Sequence, residues 1–149
     1  MPYVSKLATV LFLRKSHEDD ATRELIEAKR LLALEEERLN VLNKKFRATL
    51  DDLIARQGYD LRVEEMTLYY QFMAKLHEDI LAQTQKVLEQ AQQCEEKRSL
   101  LETAVKDRKA VESVEAKREK RYLLSRARAE QAILDELGGQ PAENRASMQ

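Results

Sequence analysis

Helix breakers are scarce in this chain of 149 residues, which contains three Gly and two Pro. They sit at edges: Pro2 at the start, Gly58 near the middle, and Gly138, Gly139 and Pro141 near the end. Tight turns draw on such residues, so a fold of many short elements is excluded and two long uninterrupted segments remain. The same scarcity removes any glycine-rich loop able to cradle a phosphate. Trp is absent, aromatics make up 5% of the chain, and one Cys, Cys94, rules out an internal disulfide framework. Long apolar runs are missing too. Leu7 to Leu13, the longest charge-free stretch near the start, falls far below the ~18–20 residues of a membrane span. One positive side chain precedes it, and Arg14-Lys15-Ser16-His17-Glu18 follows where a signal peptide would carry small residues, so a cytoplasmic protein is expected. With 26 Lys and Arg against 27 Asp and Glu, the net charge of −1 gives no global preference for nucleic acid or anionic membrane.

The chain is rich in charge (36%) and in aliphatic residues, within a hydrophobic share of 43%. So many charges leave little apolar surface for a thick core, and the aliphatic residues are too regularly spaced for disorder. In the first segment Val4, Leu11, Leu25, Leu32, Leu39, Phe46 and Leu53 recur every seven residues or multiples of it, with Leu7, Ala21, Ala28 and Leu42 at the complementary position. The second segment repeats the pattern through Tyr69, Met73, Leu76, Ile80, Val87, Cys94, Leu101, Ala104 and Val111. This 3.5-residue period is a coiled-coil seam. Arg56-Gln57-Gly58-Tyr59-Asp60 between the segments predicts a reversal, in which Gly58 takes the left-handed conformation and Asp60 caps the next helix. The expected fold is all-α: residues 1–137 as one antiparallel coiled-coil hairpin, with arm one about 4–56, a turn at 57–60, arm two about 61–137, and a flexible tail over 138–149. A helix start at Ser16, where Ser16-His17-Glu18-Asp19 suits a capping box, is the alternative to continuation from Val4.

With the reversal near residue 58, facing residues have numbers that add to about 116. That register places Glu18 by Arg98 and Arg14 by Glu102, and leaves about twenty residues of the second arm without a partner. Leu123, Ala127, Leu134 and Leu137 form an apolar stripe on this overhang, flanked by Leu124, Ile133 and basic residues including Arg126. At the free end of the first arm, Phe12 and Leu13 point away from the seam. Both ends carry more apolar surface than their own pairing requires, which suggests insertion into another protein or self-association into a dimer.

Little in the sequence suggests catalysis, because a two-helix seam offers no shielded pocket for convergent groups. His17 and His77 lie one per arm, and consecutive residues of His17-Glu18-Asp19-Asp20 splay about 100° apart on a helix, so no metal site is expected. Cys94 lies on the seam stripe, as a small hydrophobe would. Residues 106–128 hold nine Lys and Arg against four acids, but Tyr122 is their one aromatic, too few for a nucleic-acid surface. No cofactor is expected.

In length, hairpin layout and local wording the chain resembles the FliJ-like stalk proteins of flagellar and type III secretion export. The features that carry the likeness are Glu36-Glu37-Arg38-Leu39, the Gly58 turn, Tyr70-Gln71-Phe72 followed by Leu76 and Ile80, Val111-Glu112-Ser113-Val114, and Leu134-Asp135-Glu136-Leu137. The resemblance implies a non-catalytic stalk, similar to the paired terminal helices of a rotary-ATPase γ subunit, that enters the pore of a hexameric export ATPase, contacts the cytoplasmic domain of the export gate and escorts export chaperones. On that reading Phe12, Leu13, Leu123, Leu124, Arg126, Leu134 and Leu137 are candidate ATPase contacts. Leu42, Phe72 and Leu76 match the family's gate-binding surface, with Leu42 and Leu76 equally suited to the seam; Lys45, Thr49, Asp79 and Gln83 depart from the family pattern. A generic coiled-coil adaptor or homodimeric scaffold is the alternative.

Overall fold

The computed structural model describes residues 2–58 and 61–139. Two helices account for most of them, α1 (Ala8–Arg56) and α2 (Val63–Leu137), packed against each other as an antiparallel coiled-coil hairpin. Neither contains a Gly or Pro, and close-spaced ion pairs brace their outer faces, among them Glu27–Arg30 (2.7 Å) and Lys75–Asp79 (3.3 Å). Each such exposed pair adds little alone. Glu64 and Glu65 in the first turn of α2 sit where the helix dipole favours acids. The far end of α2 is closed by Gly138, whose amide donates to the Leu134 carbonyl at 2.8 Å, and by Gly139 at φ +77°, whose amide donates to the Glu136 carbonyl at 3.1 Å. That is the glycine-terminated cap that satisfies otherwise orphaned carbonyls.

Three expectations about boundaries need correction. The left-handed glycine among the described residues is Gly139, not Gly58. The second helix begins at Val63, with Leu61 and Arg62 outside it, rather than at about 61. Asp60 and residues 140–149, where a cap and most of a flexible tail were expected, lie outside the described residues. Third, α1 begins at Ala8, neither at Val4 nor at Ser16. Before it, Tyr3, Ser5 and Leu7 are half-buried while Val4 and Lys6 are exposed, Val4 at 76%. Residues 2–5 lie outside any helix and Lys6–Leu7 form a bend, so the helical heptad phase does not reach Val4.

The chain divides into two compact units. The turn unit, Asp19–Thr103, holds every buried residue of the described chain: Leu25, Ala28, Leu53, Leu76 and Gln83. Its inward side chains follow the predicted heptads, at Leu25, Ala28, Leu32, Leu39, Leu42, Phe46 and Leu53 on α1 and Tyr69, Met73, Leu76, Ile80, Val87, Cys94 and Leu101 on α2. Two glutamines fill gaps in the second list. Gln83 Nε2 donates to the Glu35 carbonyl at 2.9 Å and to the Glu35 carboxylate, and Gln90 Nε2 donates to the Ala28 carbonyl at 3.1 Å. The glutamines are one heptad apart, and so are the carbonyls they reach. This repetition ties α2 to the backbone of α1 at two equivalent steps and penalises any slip that leaves a seam amide unpaired.

The terminal unit pairs Met1–Glu18 with Ala104–Gln149. Its seam mixes half-buried Leu7, Leu11, Ala104 and Val111 with charged residues: Arg108 bonds Glu18 across the helices and Glu112 one turn on (2.8 Å), and Arg14 meets Asp107 at 3.4 Å. The guanidinium of Arg108 is raised above its usual pKa by Glu112 and then Glu18. These pairs replace the expected Glu18–Arg98 and Arg14–Glu102 contacts, and Arg98 instead pairs with Glu95 on its own helix. Facing residues add to 118 at Glu35–Gln83 and to 121 at Arg14–Asp107 rather than to 116.

Candidate functional site

Two surfaces present side chains that the hairpin does not itself use. The first is on the terminal unit. Tyr122 is the last residue of α2 that faces inward; from Leu123 to Leu137 every residue is exposed. Leu123 (53%), Leu124, Leu134 and Leu137 (79%) stand in solvent, as does Ile133. On the helix, Leu123, Ala127, Leu134 and Leu137 share one narrow face, turned roughly a quarter-circle from the α2 seam at 100° per residue. Arg126 lies beside that face, held by Glu130 one turn on at 3.1 Å. Phe12 at 73% and Leu13 at 52% point outward from α1, as the heptad phase predicts.

The second surface is on the turn unit, where Ala48, Thr49, Asp52, Arg56, Glu65, Leu68, Tyr69 and Phe72 line an open groove of about 620 Å³. Its floor is fixed by polar contacts. The Tyr69 hydroxyl donates to Asp52 Oδ2 at 2.5 Å, which pushes the phenol above its usual pKa, and the Arg56 guanidinium lies 5.9 Å from the centre of the Tyr69 ring. Phe72 (51%) and Leu68 stand exposed at its edge. Of the three candidate gate contacts, Phe72 alone is presented. Leu76 is 5% exposed and Leu42 half-buried, because both occupy heptad positions facing the opposite helix. Leu76 therefore packs in the seam.

Among the described residues no group of three or more His, Cys, Asp or Glu side chains converges, and no helix is long and apolar enough to cross a membrane. Sequence reasoning missed Gln83, Gln90 and Arg108 as seam residues. Their signal was position: each falls on the same 3.5-residue phase as its apolar neighbours, Ile80 and Val87 for Gln83, Val87 and Cys94 for Gln90.

A seam with polar locks and a bare far end fits the expected stalk, and comparison with known proteins decides the family. The family model of the flagellar FliJ protein matches residues 3–147, almost the whole chain. This chain belongs to the FliJ family. Among solved structures it is similar to a Chlamydia trachomatis protein described as a YscO homolog, at 20% identity and a TM-score of 0.65, over 93% of this chain and 94% of that one. At that identity the likeness speaks for the fold. No curated protein sequence matches the chain. As a FliJ-family protein it is a flagellar or type III export-related stalk component.

Proposed function

We propose that this FliJ-family chain is a non-catalytic central stalk of the export apparatus, cytoplasmic, with the bare end of α2 inserted into the pore of the hexameric export ATPase. The observation that carries this reading is the exposed apolar face of Leu123, Leu134 and Leu137 on a helix that outruns its partner. Contiguous apolar surface of this kind favours burial against another protein. Phe12 and Leu13 extend that contact from α1, and Arg126 borders it.

The Phe72 groove is the surface we assign to the cytoplasmic domain of the export gate, with export chaperones as further partners of the stalk. Phe72 and Leu68 supply an aromatic and aliphatic anchor, ringed by Asp52, Arg56 and Glu65, the arrangement of an apolar centre with a polar rim. Leu76 plays no direct part in this contact.

Truncation after Arg121 tests the ATPase contact. The shortened chain is expected to keep its helical spectrum up to Arg121 while losing the ability to promote assembly or hydrolysis by the purified export ATPase. Undiminished stimulation by the truncated chain overturns the assignment. A concentration series in the ultracentrifuge separates the alternative, because a homodimer that hides Leu123 to Leu137 would mark a self-associating scaffold.

A further inference from the structure

Residues 2–7 carry two incompatible patterns. With a period of 3.5 they continue α1, since Val4, Leu7 and Leu11 share one seam phase. With a period of two, Tyr3, Ser5 and Leu7 share a face, and this is the pattern present, with Val4 and Lys6 turned to solvent. The extended form reaches further. Outside a helix a residue advances more than the about 1.5 Å of a helical one, and past the bend at Lys6–Leu7 the chain carries Tyr3 to Tyr122. The two rings lie 5.3 Å apart, tilted at 46°.

Few contacts hold the extended form. The Tyr3 hydroxyl donates to Glu115 Oε1 at 2.7 Å, and the Leu7 amide donates to Ser5 Oγ at 3.2 Å. Among the described residues no backbone hydrogen bond joins residues 2–6 to α2. The Ser5 hydroxyl, after that of Tyr3, helps to hold the Glu115 carboxyl below its usual pKa, and Glu115 Oε2 is shielded from water. The helical alternative meets no obstacle in the sequence. Pro2 would fall in the first turn, where its missing amide has no intrahelical acceptor to lose, and Val4 would enter the seam next to Leu7.

We propose that residues 2–7 are a two-state strap: extended along α2 in the free protein, and helical, with Val4 in the seam and Tyr3 withdrawn from Tyr122, when a partner closes around the end of α2. The strap then sets where the bare part of α2 begins. This coupling rests on the bare end being the partner-entry element; the two-state behaviour itself does not.

Carbon-13 labelling of valine and tyrosine tests both parts. In the free wild-type chain the Cα resonances of Tyr3 and Val4 are expected at extended values. In Tyr3→Ala, which removes both the bond to Glu115 and the ring contact, the Val4 resonance is expected to move downfield toward its helical value. Tyr3→Phe, which keeps the ring, moves it less. A Val4 resonance that stays extended in Tyr3→Ala, or settles at the random-coil value, overturns the strap. Addition of the purified export ATPase to the wild-type chain is expected to produce the same helical shift. Binding that leaves Val4 extended overturns the coupling. If the ATPase does not bind at all, the reading of the bare end fails, and the result with Tyr3→Ala still decides the strap.

Discussion

The turn unit and the terminal unit share one heptad pattern but hold their helices together by different means. In the turn unit the seam is aliphatic, with Leu53 at 3% and Leu76 at 5% exposure, and Gln83 and Gln90 pin it to the α1 backbone. In the terminal unit no described residue is buried; Glu18, Arg108 and Glu115 take inward positions, and Tyr3 supplies an aromatic contact with Tyr122. Two helices alone shield a seam on two sides at most, so deep burial requires long aliphatic side chains meeting directly. Where charged side chains replace them, pairing depends on matched partners and leaves the seam open to water. The difference suits the two jobs proposed: a firmly registered base, and an end that a partner can enter.

The largest effects should come from the base. Leu53→Ala or Leu76→Ala is expected to cost about 2–3 kcal/mol, through lost transfer energy and an unfilled space, read as a fall in the thermal melting point. Leu11→Ala in the terminal unit is expected to cost less, about 1 kcal/mol, because Leu11 is half-exposed before it is removed. Equal losses at Leu11 and Leu53 would erase the distinction between the units. Gln83→Leu sharpens it differently. A buried polar group in a coiled coil fixes register at a cost in stability, so this variant is expected to melt no earlier than wild type. The distance distribution between nitroxides at the exposed positions Lys29 and Gln92 should broaden. A distribution that stays narrow would mean that the aliphatic side chains set register unaided. In the terminal unit, Glu18→Arg and Arg108→Glu should each lower the melting point, and the double swap should recover most of the loss. Reversing Arg98, which pairs with Glu95 on its own helix, should not rescue Glu18→Arg.

Much of the hairpin was legible because its rules are local. The absence of breakers and the heptads at Leu25, Leu32, Leu39 and Leu53 define the helices and their buried faces, and a single glycine-containing interruption places the reversal. Register was less legible. It depends on where the second helix begins and on how far long side chains reach along the seam, neither of which composition fixes, and Glu18 meets Arg108, ten residues past Arg98. Gln83 and Gln90 were hidden by their polarity, since a search for apolar periodicity passes over polar residues in the same phase. Val4 misled for the opposite reason: it keeps the heptad phase but lies where the chain has left the helix. At the proposed surfaces, heptad position separates Phe72 from Leu76, since one lies off the seam phase and the other on it. The exposed face at Leu123 and Leu134 follows from arm lengths that are unequal in the sequence. The Tyr69–Asp52 contact at the groove floor was not legible, because it joins two helices at a point set by register.

The smallest expected effect concerns two phenols that serve the same bond in different settings. Tyr69 donates to Asp52 and Tyr3 donates to Glu115, and each hydrogen bond raises the phenol above its ordinary pKa. A raised value in the folded state means that the contribution is complete below the ordinary phenol pKa of about 10 and is lost as the pH climbs through the folded value. Glu115 runs the other way. The Tyr3 hydroxyl first, and then the Ser5 hydroxyl, hold it below its ordinary pKa, so its contribution is present above the usual carboxylate range and fades as the pH falls through the depressed value. The Tyr3–Glu115 tie is therefore closed between the carboxylate and phenol ranges and opens at both extremes. In an alkaline titration followed by phenolate absorbance, Tyr3→Phe and Tyr69→Phe should each remove part of the late-titrating signal. Loss of the Tyr3 proton should release residues 2–7 toward the helical form, so helicity should hold or rise slightly, since those residues contribute no helix beforehand. Loss of the Tyr69 proton should slightly loosen the groove, whose helices remain held by Leu53 and Leu76. If helicity instead falls as the Tyr3-dependent phenolate signal appears, that contact supports the helices directly, and the terminal unit is less independent of its first residues than its open, charge-matched seam implies.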